Sequence, residues 1–161
     1  MGQILTIHTI GNPLLRRKAA KVGDPQDPKL AVLVDNMLTT MLASDGVGIA
    51  APQISQLLRV VIVASRPNPR YPDAPQMEPV IMVNPIILSR SSGQEEGLEG
   101  CLSVPGKKCL IMRHQAVEVC WHDLEAKRHQ QSFSGFVARI VQHEVDHLEG
   151  ILYPDRAGSS G

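Results

Sequence analysis

The sequence predicts a domain that mixes helices with β-strands, and three features carry that expectation. An apolar stripe at helical spacing follows Asp27, short β-branched runs occupy the middle of the chain, and a second helical stripe lies between Gly135 and Leu148. The chain has 161 residues, and a chain of that size buries about 68–70% of its unfolded surface, enough for one real core. We assign residues 1–156 to a single domain and 157–161, small and polar, to a disordered tail. No internal repeat or linker is visible.

Asp27-Pro28 reads as a helix cap followed by proline at the first helical position. Leu30, Leu33, Val34, Met37, Leu38, Met41 and Leu42 then recur on one face, and Ser44-Asp45-Gly46 ends the element. Gly46 to Gln53 reads as a flexible turn; its Gly-x-Gly is not a dinucleotide fingerprint, since no strand precedes it and no third glycine follows. Arg59–Val63 and Val80–Val83 are buried strands. Between them, prolines at 67, 69, 72, 75 and 79 exclude regular structure and make 65–79 a surface loop. Ala116–Trp121 alternates, placing Val117, Val119 and Trp121 on one face. A turn at 123–127 returns the chain as a partner strand over 130–133. The last helix runs from about Gly135 to Leu148, with Ser132 or Ser134 near its start and Gly150 just past its end.

Composition excludes several classes. Formal net charge is zero, which gives no support to nucleic-acid or membrane-surface binding. No run of 18 apolar residues exists, and the N-terminus has neither a signal peptide's pattern nor that of a transit peptide. Met1-Gly2 with Thr6 fits a myristoylation pattern, but the same residues serve as the start of the fold. Three cysteines, Cys101, Cys109 and Cys120, are a small odd set. They suit a reducing, cytoplasmic setting, with Cys109 and Cys120 as small core residues.

His143-Glu144-Val145-Asp146-His147 carries the chemistry. On a helix, imidazoles four residues apart reach one metal ion, and the glutamate between them can act on a metal-bound water. A lone histidine on the apolar stripe Phe136, Ile140, His143, His147 would ordinarily be a satisfied core residue; two at this spacing point to metal. A catalytic site of this kind usually has three protein ligands and an open position. Downstream, the metzincin template asks for histidine at 153, which is Tyr, and no glutamate follows at zincin spacing. Upstream, Glu99-Gly100-Cys101-Leu102-Ser103-Val104-Pro105 is a tight turn offering a thiolate.

Three segments together resemble the peptide deformylase family. Its motifs Gly-x-Gly-x-Ala-Ala-x-Gln, Glu-Gly-Cys-x-Ser and Gln-His-Glu-x-Asp-His appear in order as GVGIAAPQ (46–53), EGCLSVP (99–105) and QHEVDHLEG (142–150). The opening Gly11-Asn12-Pro13-Leu14-Leu15-Arg16 is similar as well, and the resemblance spans roughly residues 4 to 155. It implies an α+β fold, with mostly antiparallel sheets packed around a central C-terminal helix that carries the HExxH motif. It implies removal of the formyl group from N-formylmethionyl peptides of nascent proteins, releasing formate. Cys101, His143 and His147 would hold one divalent ion, Fe2+ by family habit, with Zn2+, Ni2+ or Co2+ able to replace it. Hydroxide formed at the metal would attack the formyl carbon, with Glu144 as general base and then acid. The Gln53 amide and the backbone N–H of Leu102 would face the oxyanion.

The family implies a substrate pocket around Val47, Gly48, Glu99, Gly100, Phe136 and Ile140, with Glu99 and Asp146 also orienting the ligands. Lys107-Lys108 are the candidates for a basic contact to the peptide backbone. Gln142 has no role that the sequence supplies, and the 65–79 loop is longer than in the shortest family members. The implied protein is a monomer with a transient ribosome contact as its other partner. The long C-terminal helix through which some members make that contact does not follow the metal helix here. Two other readings compete: a homologue that binds without turnover, against which stand Glu144, Gln53 and all three ligands, and a metallopeptidase or structural metal site, which lacks its further ligand.

Overall fold

In a computed structural model, which describes residues 2–157, the chain forms mixed helices and strands with antiparallel sheets. In chain order these are α1 (Pro28–Ala43), β1 (Gly48–Ala50), β2 (Val60–Val63), β3 (Val80–Arg90), β4 (Gln94–Cys101), β5 (Val104–His114), β6 (Ala116–His122), β7 (Arg128–Ser134), α2 (Gly135–Leu148) and α3 (Tyr153–Ala157). Short 3-10 turns lie at Pro13–Arg16 and Ala51–Ile54. One sheet has the order β1-β2-β3-β6-β7; β4 and β5 pair separately as a hairpin.

Local chemistry explains the elements that the sequence predicted. Asp27 caps α1 by accepting a hydrogen bond from Lys29 N at 2.9 Å, and Pro28 follows at the position where a missing N–H costs nothing. All four β2 residues are buried because helices cover both faces of the sheet. Val60 and Ile62 pack in a cluster with Leu30, Val34, Met37 and Met41 of α1, whereas Val61 and Val63 pack with Ala138, Ile140 and Val141 of α2. Val117, Val119 and Trp121 join the second of these cores, as their alternation required. Each fully buried side chain of this size stabilises the fold by about 1.5–3 kcal/mol.

The structure also departs from the sequence reading. The strand at 80–83 continues to Arg90, because the ladder absorbs Asn84-Pro85 as an irregularity between Val83 and Ile86. Asn84 adopts φ +52° and uses both ends of its amide on the Val22 backbone, at 2.8 and 2.9 Å. The segment 46–53, expected as a flexible turn, is a buried strand and a 3-10 turn. Helix α2 is followed by a further short helix, α3, whose last residue is Ala157; the rest of the expected disordered tail lies outside the described residues. Residues 65–79 carry no helix or strand, in keeping with their prolines. Among the described residues, no helix is long and apolar enough to cross a membrane.

Candidate active site

Three parts of the chain meet at the site. From the helix come Phe136, Ile140, His143, Glu144 and His147, one stripe along its length. The β4–β5 hairpin turns at Leu102-Ser103 and delivers Cys101 as the last residue of β4, paired with Val104. Strand β1 and the 3-10 turn after it deliver Val47, Gly48 and Gln53. One cleft is lined by every residue expected as a metal ligand, catalytic group or pocket wall except His147, which is 1% exposed and reaches the cluster through the Cys101 sulfur; Asp146, Lys107 and Lys108 lie outside it.

The Cys101 Sγ lies 3.3 Å from His147 Nε2, and the ligand atoms of Cys101, His143 and His147 all fall within 4.8 Å of one another. Burial pushes the Cys101 thiol up, but the His147 and His143 rings outweigh it and hold the thiol well below its ordinary range. The His143 ring is affected in the opposite sense: burial disfavours its charge, yet the Cys101 and Glu99 anions raise it well above an ordinary histidine. An anionic sulfur beside a ring that holds its proton strongly is a place where a cation would take that proton's part, so the donor set fits a metal ion. His143 Nδ1 is already engaged by Glu99 Oε1 at 2.9 Å, which leaves Nε2 for such an ion. His147 Nδ1 is buried with no partner.

Glu144 belongs to the same cavity. Its Oε1 is buried without a hydrogen-bond partner. Burial is the main reason that its pKa is pushed up to about 7, with the neighbouring histidines opposing. Gly48 makes room for this carboxylate, because a Cβ there would meet Glu144 Oε2 at 2.6 Å and Ile140 Cγ2 at 2.8 Å. The Gln53 amide is fixed at both ends: Oε1 accepts from Ala50 N at 2.9 Å, and Nε2 donates to Ser103 Oγ at 3.0 Å and points at Cys101 Sγ, 3.7 Å away.

Several residues at the site were not legible in the sequence. Arg113 forks onto both oxygens of Glu99 at 2.8 and 2.9 Å, and Arg139 adds a third bond at 2.8 Å. Burial alone would raise the Glu99 carboxyl, but hydrogen bonds from Arg113 and His143 hold it well below the usual carboxylate range. Gly97 leaves space for the Arg139 guanidinium, which a Cβ would meet at 2.7 Å. Gln142 ties α2 to β5, accepting from His114 N at 3.1 Å and donating to His114 O at 2.9 Å. The proline-rich loop supplies Arg70 and Tyr71 to the cleft wall; the Tyr71 hydroxyl accepts from Gly100 N at 2.8 Å and its ring packs on Phe136. Lys107 and Lys108 line an adjoining cleft instead, with Lys108 Nζ donating to Arg70 O at 2.8 Å. Arg70 is therefore the cation nearest the cleft from that side, a loop residue that no periodicity could have flagged.

Comparison with known proteins agrees with this geometry. The sequence model of the family described as Polypeptide deformylase matches residues 4–161. Peptide deformylase 2 of Nostoc sp. (strain PCC 7120) is 51% identical over 98% of this chain and 88% of its own length. Peptide deformylase 2 of Shewanella oneidensis is 46% identical over 95% of this chain and 84% of its own. A Met-Ala-Ser-bound crystal structure of class I type b peptide deformylase from Acinetobacter baumannii superposes with a TM-score of 0.94 at 49% identity, covering 97% of this chain and 99% of that one. The Thermotoga maritima peptide deformylase structure gives 0.85 at 32% identity, over 96% and 97% of the two chains.

Proposed function

The chain belongs to the polypeptide deformylase family, and we propose that it removes the formyl group from N-formylmethionyl peptides of nascent proteins, releasing formate, at a metal ion held by Cys101, His143 and His147. The observation that carries this reading is the meeting of one thiolate and two imidazoles within 4.8 Å, beside a buried carboxylate oxygen that has no partner. One sulfur and two nitrogen donors suit a borderline divalent ion, and we take Fe2+ as the native one, with Zn2+, Ni2+ or Co2+ as substitutes. Such an ion supplies Lewis acidity, lowering the pKa of water and polarising the formyl oxygen.

The protein's own groups do the rest. Glu144 takes the proton from the attacking water and delivers it to the departing amine; a carboxyl whose pKa is pushed up to about 7 suits both directions near neutral pH. The Gln53 Nε2 amide and the Leu102 backbone N–H stabilise the negative charge that develops on the formyl oxygen, and losing one such donor costs about 2.7–4 kcal/mol of barrier. Gln53 is suited to this because its amide is already oriented by Ala50 and Ser103, so no reorganisation is needed during reaction. Glu99 fixes the tautomer and angle of His143. Val47, Phe136 and Ile140 form an apolar wall for the methionine side chain, with Gly48 and Gly100 presenting backbone to the peptide. The peptide bound to the Acinetobacter baumannii enzyme supports a peptide ligand here.

The test is formate release from formyl-Met-Ala-Ser by protein reloaded with Fe2+ without air. Turnover that depends on the ion is expected. A fully loaded protein that releases no formate, or that cleaves internal peptide bonds instead, would overturn the reading.

A further inference from the structure

A chain of alternating charges runs from the protein surface to the His143 ring. Arg156, on α3 and 45% exposed, forks onto Asp146, with Nη2 at 2.8 Å from Oδ1 and Nε at 3.0 Å from Oδ2. Asp146 Oδ2 also accepts from Arg113 Nη1 at 2.6 Å. Arg113, 4% exposed, forks in turn onto both oxygens of Glu99, and Glu99 Oε1 meets His143 Nδ1 at 2.9 Å. Asp146 and His143 stand one turn apart on α2, so the path leaves the helix, crosses β5 and β4, and returns to the same helix. The ring it closes fixes α2 against the hairpin that carries Cys101.

We propose that Arg156 is a positioning residue for the metal centre, acting on His143 through Asp146, Arg113 and Glu99. The proposal rests on Cys101, His143 and His147 being the metal ligands. A two-pronged guanidinium sets the plane of the Asp146 carboxylate, which a single charge cannot do. That plane decides where Oδ2 meets Arg113, and Arg113 in turn sets the plane of Glu99. If Asp146 rotates, the guanidinium of Arg113 follows and the acceptor that holds the imidazole loses its angle. A second observation ties α3 to the same ligand. Tyr153, 2% exposed, stacks on the His143 ring with centroids 6.1 Å apart and planes 27° apart, and its hydroxyl donates to Lys107 O at 2.9 Å. The middle of α3 is tied down by Asp155, bonded to Arg16 Nη1 at 2.5 Å and accepting from Leu152 N at 3.0 Å. Thus α3 meets the metal helix by two arms, Tyr153 directly on the His143 ring and Arg156 on Asp146, one turn further along.

The experiment loads parent protein and variants with Co2+ and follows loss of the ion to a chelator, with the cobalt–thiolate absorption recorded before release. R156Q is expected to release Co2+ about tenfold faster than the parent, the lower end of the effect of removing an outer partner of a ligand. R156K, which keeps the charge and loses the fork, is expected to fall between. The R156Q effect should vanish in a D146N background, because the path passes through Asp146. R156Q or R156K releasing cobalt at the parental rate while E99Q releases it fast would overturn the proposal, as would an R156Q effect that adds undiminished to D146N. If R156Q does not fold, R156K alone decides: faster than parent supports the path, parental overturns it. Parental retention in both C101S and H143A would instead remove the ligand assignment, and with it the proposal, an outcome separate from any behaviour of Arg156.

Discussion

Glu144 shows what a single residue contributes at this site. Its Oε1 is buried and unpartnered beside the three donors, and burial leaves it able to exchange a proton near neutral pH. Glu144→Gln keeps the shape and the ligands and removes only the base. It should lower kcat by about 10²–10⁴ with metal content per chain unchanged; near-normal turnover would take Glu144 out of the proton path. The pair of histidines and this glutamate were readable from helical spacing alone, because all three lie on one element. Glu99 was readable only as a neighbour of Cys101. Its clamp by Arg113 and Arg139 was not, since the three residues come from β4, β5 and α2 and no local pattern links them.

At the scale of elements, the β4–β5 hairpin is among those the sequence concealed, and its burial pattern gives the reason. The face of β4 turned toward α2 carries Gly97, Glu99 and Cys101, whereas Leu98 on the other face is half exposed. Hydrophobic alternation is therefore inverted where the strand supplies chemistry. Strand β1 was hidden differently: at three residues it is too short for periodicity to register. Its Gly48 gives a direct test, because a Cβ there would meet Glu144 Oε2 at 2.6 Å. Gly48→Ala should displace the carboxylate and lower kcat/KM by about 10²-fold, the scale of a misplacement near 1 Å, while leaving the circular dichroism spectrum intact; parental kinetics would show that the carboxylate has other room. The β6–β7 turn makes a separate, electrostatic prediction. Asp123 accepts from Glu125 N and Lys127 N and bonds His129 at 2.7 Å, and chiefly that last contact lowers its pKa from 3.8 to about 2. A depressed carboxyl stabilises the fold fully above its unfolded value and loses that contribution as pH falls through the folded one. Asp123→Asn should therefore lower Tm near neutral pH, and its deficit should shrink between pH 3.8 and about 2. A deficit that stays constant through that window would assign it to something other than the charge.

On the scale of the whole molecule, ligand binding and folding are one equilibrium. The donors come from β4 and α2, distant in sequence, so an ion that bridges them binds only the folded chain. At a free concentration a hundred times its Kd, the ion should add about 2.7 kcal/mol, which for a chain of this size raises Tm by roughly 5–11 °C. Scanning calorimetry of protein with and without Co2+ checks this, and Cys101→Ser should lose most of the rise. An equal rise in that variant would place the ion elsewhere. The two cores that flank the sheet set the baseline: α1 covers Val60 and Ile62, and α2 covers Val61 and Val63, so one buried strand couples both helices to the site.

By itself the sequence determined α1, α2, strands β2, β6 and β7, and the order of three motifs whose residues reappear in one cleft, because each of these rests on neighbours within a few positions of the chain. Only the tertiary structure decided how the motifs are held. The arginines that neutralise Glu99 and Asp146, the Arg70 and Tyr71 wall from the proline-rich loop, and the return of α3 onto His143 join residues as far apart in the chain as Tyr71 and Phe136. Periodicity records which face of an element is buried; it carries no information about which other element's charge comes to rest against that face.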